Sequence, residues 1–452
     1  MIGPPQAHTD LVRYLESPLG VISGDRRTPL TVDDLAEQLV KYLPVGSNVV
    51  VPIANGEPVA LLDALEARAH FLTGVRIHQM HALRDRPYLH GAYRGHLDHV
   101  SWFLSHVVRG PYLRGECEFT PANFSEVPQF MADKKPVAVL AAASPPDNHG
   151  YFSLGLSADY AAALIGKVPF ILEVNPLMPR THGGNRLHVA DVLAWCEAST
   201  PLIEVPPAEP GDIDRAIAAS IVDRIRNGST MQLGIGAIPS AVATFLADHR
   251  DLGVHTELLT DPIVDLVECG AVTGLRKNTH RGYVVTTFAL GTRRLYDFVD
   301  NNDLVQFVPV DLVNDPRRIG EEDDFVSINA TLEVDLFGQC ASETLGTRYF
   351  SGSGGQADFA RGAQYSKGGQ GFVVLRSTTR DGSVSKITPT LSPGAVVTTQ
   401  KNTVDKVVTE YGIAELQGRS IRQRARALIA IAHPDHREKL ERDAHELGIL
   451  VD

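Results

Sequence analysis

The chain has 452 residues, with 42 basic and 54 acidic side chains, a formal net charge of −12 and 43% hydrophobic residues. That balance excludes a disordered chain and disfavours a nucleic-acid binder, which carries a basic surplus; the length allows two or three domains. Four cysteines, Cys117, Cys196, Cys269 and Cys340, stand far apart with no Cys-x-x-Cys pair. They suit neither a disulfide scaffold nor a cysteine zinc site, and fit a reducing, cytoplasmic setting. The first ten residues show no basic stretch leading into an apolar run, so no signal peptide is expected. The longest apolar run, residues 136–143, is far short of the roughly 20 residues of a membrane span and reads as a buried strand.

In chain order, a helix is predicted over 32–43. Thr31 is its N-cap with Asp34 three residues on, and Leu35, Leu39, Val40 and Leu43 share a face. Gly46-Ser47 stops it, residues 48–53 read as a strand, and the loop 54–58 leads into an apolar helix near 58–70. The pattern returns about 180 residues later. Ile213, Ile217, Ile221 and Ile225 mark a helical face, Gly228-Ser229 stops it, and residues 230–233 read as a strand. The loop Gly234 to Pro239 then opens a helix carrying Val242, Phe245 and Leu246. Pro58 and Pro239 both stand near a first turn, where a missing N–H costs nothing. Two copies of helix, Gly-Ser, strand, loop, Pro, helix predict an internally duplicated α/β chain. The Pro-rich segment 205–212 reads as the linker, dividing the chain into domains 1–205 and 212–452. Beyond it, residues 254–259 read as a strand, Asp261-Pro262 as a helix start, and Gly270 as its stop. Strands alternating with helices argue for mainly parallel sheets, which bind ligands beyond the carboxyl ends of their strands.

Three features carry chemistry. Gly234-x-Gly236-x-x-Pro239 lets backbone N–H groups approach a ligand; a plain tight turn is the other reading, and Pro239 departs from a dinucleotide fingerprint. Ser351-Gly352-Ser353-Gly354-Gly355-Gln356 is a second such loop, followed at once by Asp358, Phe359 and Arg361. Glu257 lies in an apolar strand, where a carboxylate needs either a partner, a function or an outlet to solvent. His96-x-x-His99 has helical metal-ligand spacing but no glutamate of the zincin kind, and reads as a surface pair. There is no phosphate-loop Gly-x-x-x-x-Gly-Lys-Ser/Thr and no Gly-x-Ser-x-Gly.

Several strings together resemble one family. They are Thr120 to Pro128, Ser144 to Gly155, Glu173 to Gly183, Gly234 to Pro239, His255-Thr256-Glu257, Gly354 to Phe359 and Val408 to Gly418. From about residue 115 to 440 the chain is similar to the acetyl-CoA hydrolase/transferase family, the class I coenzyme A transferases of the acetate and 4-hydroxybutyrate type. The resemblance implies two CoA-transferase-type open α/β domains and a ping-pong transfer of CoA through a glutamyl-CoA thioester. It maps the nucleophile onto Glu257 and the CoA-binding turn onto Gly234, Ile235, Gly236, Ala237 and Ile238. The oxyanion loop maps onto Gly354 and Gly355, with Ser351 where close relatives carry Asn, and further CoA contacts onto Asn329 and Lys367. Backbone N–H groups of Ile235 and Gly355 are the expected oxyanion donors. A carboxylate with a pKa near 4 is ionised at neutral pH and needs no base. No metal and no permanently bound cofactor are expected; coenzyme A is a substrate, and the partners are an acyl-CoA and a short carboxylate, with no nucleic acid and no membrane. The family suggests a homodimer in the cytoplasm. Arg180, His182 and Gly183-Gly184 are expected to face the acyl site from the N-terminal domain, or Arg180 to pair a carboxylate between domains. Hydrolysis at the same site, or CoA sensing without catalysis, are the rival functions.

Overall fold

Thr31 starts the first helix as its sequence predicts: its hydroxyl accepts from Asp34 N–H at 3.1 Å. A computed structural model of the chain describes residues 18–22 and 27–451; the leader-free reading of residues 1–10 lies outside the described residues. Helix α1 (Val32–Tyr42) buries Leu35, Ala36 and Leu39. Strand β1 (Asn48–Val50) follows, and after a short turn at 54–56, helix α2 (Val59–Glu66) begins directly behind Pro58. The chain falls into two compact units.

The first unit holds residues up to Ala122, Glu126–Glu204 and Thr287–Asp311. Its sheet is built from β1, β2 (Val75–Gln79), β3 (Leu97–Ser101), β4 (Glu118–Phe119), β5 (Ala138–Ala143), β6 (Phe170–Val174) and β7 (Val192–Glu197). The order is β7-β6-β5-β1-β2-β3-β4, and every pairing is parallel. The apolar run does form a strand, and all six residues of β5 are buried, as a sheet covered on both faces requires. The His96/His99 reading fails: His99 lies in β3, not on a helix, and is buried beside Tyr88. The late segment Thr287–Asp311 is stitched in: Thr287 accepts from Ala158 N–H at 3.0 Å, and the Tyr296 hydroxyl donates to Ile203 O at 2.6 Å.

The second unit holds Asn123–Ser125, Val205–Thr286 and Leu312 onward. Helix α3 (Asp212–Val222) leads to β8 (Thr230–Leu233), α4 (Ala237–Phe245), β9 (Gly253–Leu259) and α5 (Asp261–Glu268). Then come α6 (Pro316–Ile319), β10 (Val326–Ala330), α7 (Gln356–Tyr365), β11 (Gln370–Val374), β12 (Lys406–Thr409) and β13 (Gly412–Glu415). Strand order is β13-β12-β11-β10-β8-β9, parallel throughout except for the β12/β13 hairpin. Beyond it, Val334, Ile387, Leu428 and Leu440 join one further apolar cluster.

The predicted duplication is visible in this topology. In each unit the strand after the Gly-Ser stop, β1 or β8, lies between its successor, β2 or β9, on one side and strands added outward on the other, β5-β6-β7 and β10-β11-β12. The isoleucine face needs one correction. Ile217, Ile221 and Ile225 are buried but Ile213 is exposed, because Asp214 turns inward in its place, accepting from Gly211 N–H and pairing with Arg376 at 2.6 Å. Phe245 is likewise exposed, with Val242 and Leu246 filling the core. The predicted N-cap at Asp261 shifts by one: Thr260 holds the cap position and Pro262 stands in the first turn. Among the described residues no helix is long and apolar enough to cross a membrane.

Candidate active site

Strand β9 carries Glu257 near its carboxyl end, between Thr256 and Leu258. Glu257 neither points freely to solvent nor meets a cation; it keeps part of its surface open. The side-chain amide of Asn314 donates to its Oε2 at 2.8 Å, and the backbone N–H of Gly355 also donates to the carboxylate. Burial outweighs these donors and pushes the carboxyl up to about 7. The expected ordinary value near 4 is therefore corrected: close packing disfavours the charged form. The backbone behind it is fixed, since Thr286 hydroxyl donates to Glu257 O at 3.1 Å.

Gly355 is the N-cap of α7, so its N–H is one of the unpaired donors at a helix start. A Cβ at this position would collide with Oε2 of Glu257 and Nδ2 of Asn314; glycine is what lets the helix start touch the carboxylate. Gly354 before it has φ +53° and accepts from Phe124 N–H at 3.0 Å. Ser351 donates its N–H to Glu343 O at 3.2 Å, which ties the loop to the strand pair behind it.

The second glycine turn sits at the carboxyl end of β8. Gly234 donates to Ile328 O at 2.9 Å, and a Cβ there would press on Ile328 O and Asn329 Oδ1. Gly236 has φ +124°, a conformation that favours glycine. Ile235 is exposed at the tip, while Ala237 and Ile238 open α4, with Ile238 buried. Asn329 does not face outward: its amide exchanges hydrogen bonds with Gln232 at 3.1 Å and donates to Ser327 Oγ at 2.9 Å. It braces the glycine turn from behind.

Lys367 is a correction. It precedes β11, at the amino edge of the parallel strands, exposed and 3.6 Å from Asp323. The glycine turns and Glu257 occupy the carboxyl edge. Helix α7, ten residues or about 15 Å long, separates Lys367 from Gly355. The first cation after the carboxyl end of β11 is Arg376. Arg180 and His182 are held by contacts inside the first unit. Arg180 donates to the carbonyls of Tyr151 and Pro145, and its N–H to Asp300 at 2.8 Å; His182 stands 3.2 Å from both Asn301 and Asp303. Gly183 and Gly184 allow close approach of Phe307 and Pro309. This stretch closes the first unit on itself, and the Arg180 contacts lie within that unit rather than between domains.

Two residues at the site were missed in the sequence: Asn314 and Asp358. Asp358, three residues into α7, accepts from Ser125 N–H at 3.1 Å and from its hydroxyl at 2.8 Å. Burial and the nearby Glu257 charge push its carboxyl up to about 7 against those donors. His255, two residues before Glu257, sits 2.7 Å from Val313 O and is held neutral, pushed down to about 3 by burial. It thereby anchors the segment that presents Asn314. The signals available were weak: Asn314 precedes an Asp-Pro helix start, and Asp358 follows a Gly-Gly pair.

A carboxylate set against an N–H donor and an amide is a candidate nucleophile with hydrogen-bond donors at hand. Comparison with known proteins gives the family. The acetyl-CoA hydrolase/transferase N-terminal domain matches residues 34–210, and the C-terminal domain of the same family matches residues 291–444. The chain is 47% identical to succinyl-CoA:cyclohexane-1-carboxylate CoA transferase of Geobacter metallireducens, over 89% of this chain and 92% of that one. It is 44% identical to 4-hydroxybutyrate coenzyme A transferase of Clostridium kluyveri, over 90% and 95%. The crystal structure of RipA from Yersinia pestis superposes with a TM-score of 0.88 at 35% identity, over 94% of this chain and all of that one. The chain therefore belongs to the acetyl-CoA hydrolase/transferase family and is an enzyme of the CoA-transferase kind.

Proposed function

We propose that the enzyme moves coenzyme A between an acyl-CoA and a short free carboxylate, with Glu257 as the covalent nucleophile. The observation that carries this is the Glu257 carboxylate itself: partly open, bonded to Asn314 and Gly355, and holding no ion pair among the described residues. A structural carboxylate at such a position would be paired.

In the reading we adopt, Glu257 attacks the thioester carbonyl carbon of the acyl-CoA. The tetrahedral oxyanion is met by the N–H groups of Ile235 and Gly355, and the C–S bond breaks to give an acyl-glutamyl anhydride and CoA thiolate. The thiolate attacks the Glu257 carbonyl, releasing the acyl group as its carboxylate and leaving glutamyl-CoA. An incoming carboxylate runs the same steps backward. Coenzyme A lies along Gly234 to Ile238, where exposed backbone and the α4 start receive it. Each N–H donor aimed at the oxyanion contributes about 3–4 kcal/mol to the transition state. Because burial lifts Glu257 to about 7, its anion is half formed at neutral pH, and kcat/KM rises through that region to a plateau above it.

The test is borohydride reduction after incubation with acyl-CoA, followed by mass mapping. A reduced residue in the peptide containing Glu257 is expected, together with loss of several orders of magnitude in kcat for Glu257→Gln at an unchanged melting temperature. No modified Glu257 in folded protein, or a Glu257→Gln variant with full turnover, would overturn the assignment. Thioester loss that is equally fast without added carboxylate would make the enzyme a hydrolase.

A further inference from the structure

The chain between Glu257 and its neighbours runs one step further than the transfer chemistry requires. Asn314 reaches Glu257 Oε2 at 2.8 Å, and the same side chain hydrogen-bonds to Asp358. Its Oδ1 is buried without a partner, so the amide meets the carboxyl groups through its NH2 group. Asp358 receives two further donors, the N–H and hydroxyl of Ser125. Two carboxyl groups, on β9 and α7, thus share one planar donor.

No cation offsets them. Among the described residues neither carboxylate has an ion pair. His255, on the same strand, is neutral; Lys277 behind β9 is spent on the carbonyls of Val254 and Tyr283. Arg317 and Arg318 of α6 are exposed, and Arg361 of α7 is exposed and turned to Tyr365. Strands β10 and β11 contribute no titratable side chain. Two like charges this close ionise in sequence rather than together.

Building on the nucleophile assignment above, we propose that Asp358 is a positioning residue for the transfer, which through the Asn314 amide aims the Glu257 carboxylate and governs when it becomes an anion. The charge on either carboxyl opposes ionisation of the other, so the two groups titrate as a coupled pair, and removing the Asp358 charge lets Glu257 ionise at lower pH.

The experiment is the pH profile of kcat/KM for an acyl-CoA with excess acetate, in wild type, Asp358→Asn and Ser125→Ala. Asp358→Asn removes the charge and keeps the shape. Its acid limb is expected to move to lower pH by about half a unit or more, with plateau kcat down about tenfold and KM for acyl-CoA unchanged. Ser125→Ala removes one donor from Asp358 without touching Glu257, and moves the limb the same way by a smaller step. A merely structural Asp358 lowers the melting temperature and leaves the limb where it was. Limbs that superimpose on wild type overturn the proposal; if Asp358→Asn does not fold, Ser125→Ala decides alone. Borohydride trapping of Glu257 runs alongside in wild type. An untrapped Glu257 fails the nucleophile assignment, whereas a trapped Glu257 with unmoved limbs fails only the role of Asp358.

Discussion

At the scale of single residues, the site depends on one missing side chain. Gly355 brings the start of α7 against Glu257, and a methyl group there has no space beside Oε2 of Glu257 and Nδ2 of Asn314. Gly355→Ala is therefore expected to push the helix start off the carboxylate and lose the N–H donor. The expected cost is about 10²–10³ in kcat, with a near-native melting temperature because Glu257 relaxes toward its open side; steady-state kinetics and thermal melts check both. Glu257, Gly355 and the Gly234 turn were legible in the sequence because glycine pairs and a charged residue in an apolar strand stand out locally. Asn314 and Asp358 were not. They lie 57 and 101 positions along the chain from Glu257, and little local to either residue announces that they share its site. The raised acidity range of Glu257 was hidden for the same reason, since it comes from burial and not from any neighbour in sequence.

At the scale of elements, caps and stops read well and helix phase reads poorly. The Thr31 cap and the Gly-Ser stops are local events, so α1, α3 and β8 fell where expected, while β1 starts where expected and ends at Val50 rather than at residue 53. Ile213 was assigned to the core because four-residue spacing fits a helix face, yet the first turn of α3 is rotated by the demands of Asp214. That carboxylate accepts from Gly211 N–H at 2.9 Å and forms a two-point pair with Arg376 at 2.9 and 2.6 Å. Asp214 is held below the usual carboxylate range, its burial outweighed by the Arg376 and Gly211 hydrogen bonds. A depressed carboxyl stabilises the fold above its unfolded range, and that contribution is lost as pH falls through its folded value. Asp214→Ala is expected to cost about 1–2 kcal/mol, as loss of a helix start does. The Arg376 side chain is 41% exposed, so it is not stranded. Denaturant melts at pH 7 and pH 3 check this, with the difference from wild type shrinking at the lower pH. Lys367 was misplaced at this scale as well: the resemblance maps a CoA contact onto it, but the length of α7 places it at the far edge of the sheet.

At the scale of the whole molecule, the repeated strand order was legible and the path of the chain was not. Segment 205–210 is exposed and without helix or strand, as a linker should be, but the first unit is not finished there. It takes back Thr287–Asp311, which supplies a carbonyl to Ala158 and seats Tyr296 between Asn55 and Ile203. A fragment ending at residue 205 is therefore expected to lack cooperative melting, while full-length protein cut by a protease within 205–210 keeps its size on gel filtration and its activity. A fragment 1–205 that melts cooperatively would refute this. During synthesis the same threading sets a timetable. The ribosome releases the first unit's helices and strands early, yet that unit cannot close until residue 311 has emerged, about 100 residues and several seconds later at ordinary elongation rates. Through that interval its apolar face waits uncovered, which makes the nascent chain, rather than the finished enzyme, the form most in need of a chaperone.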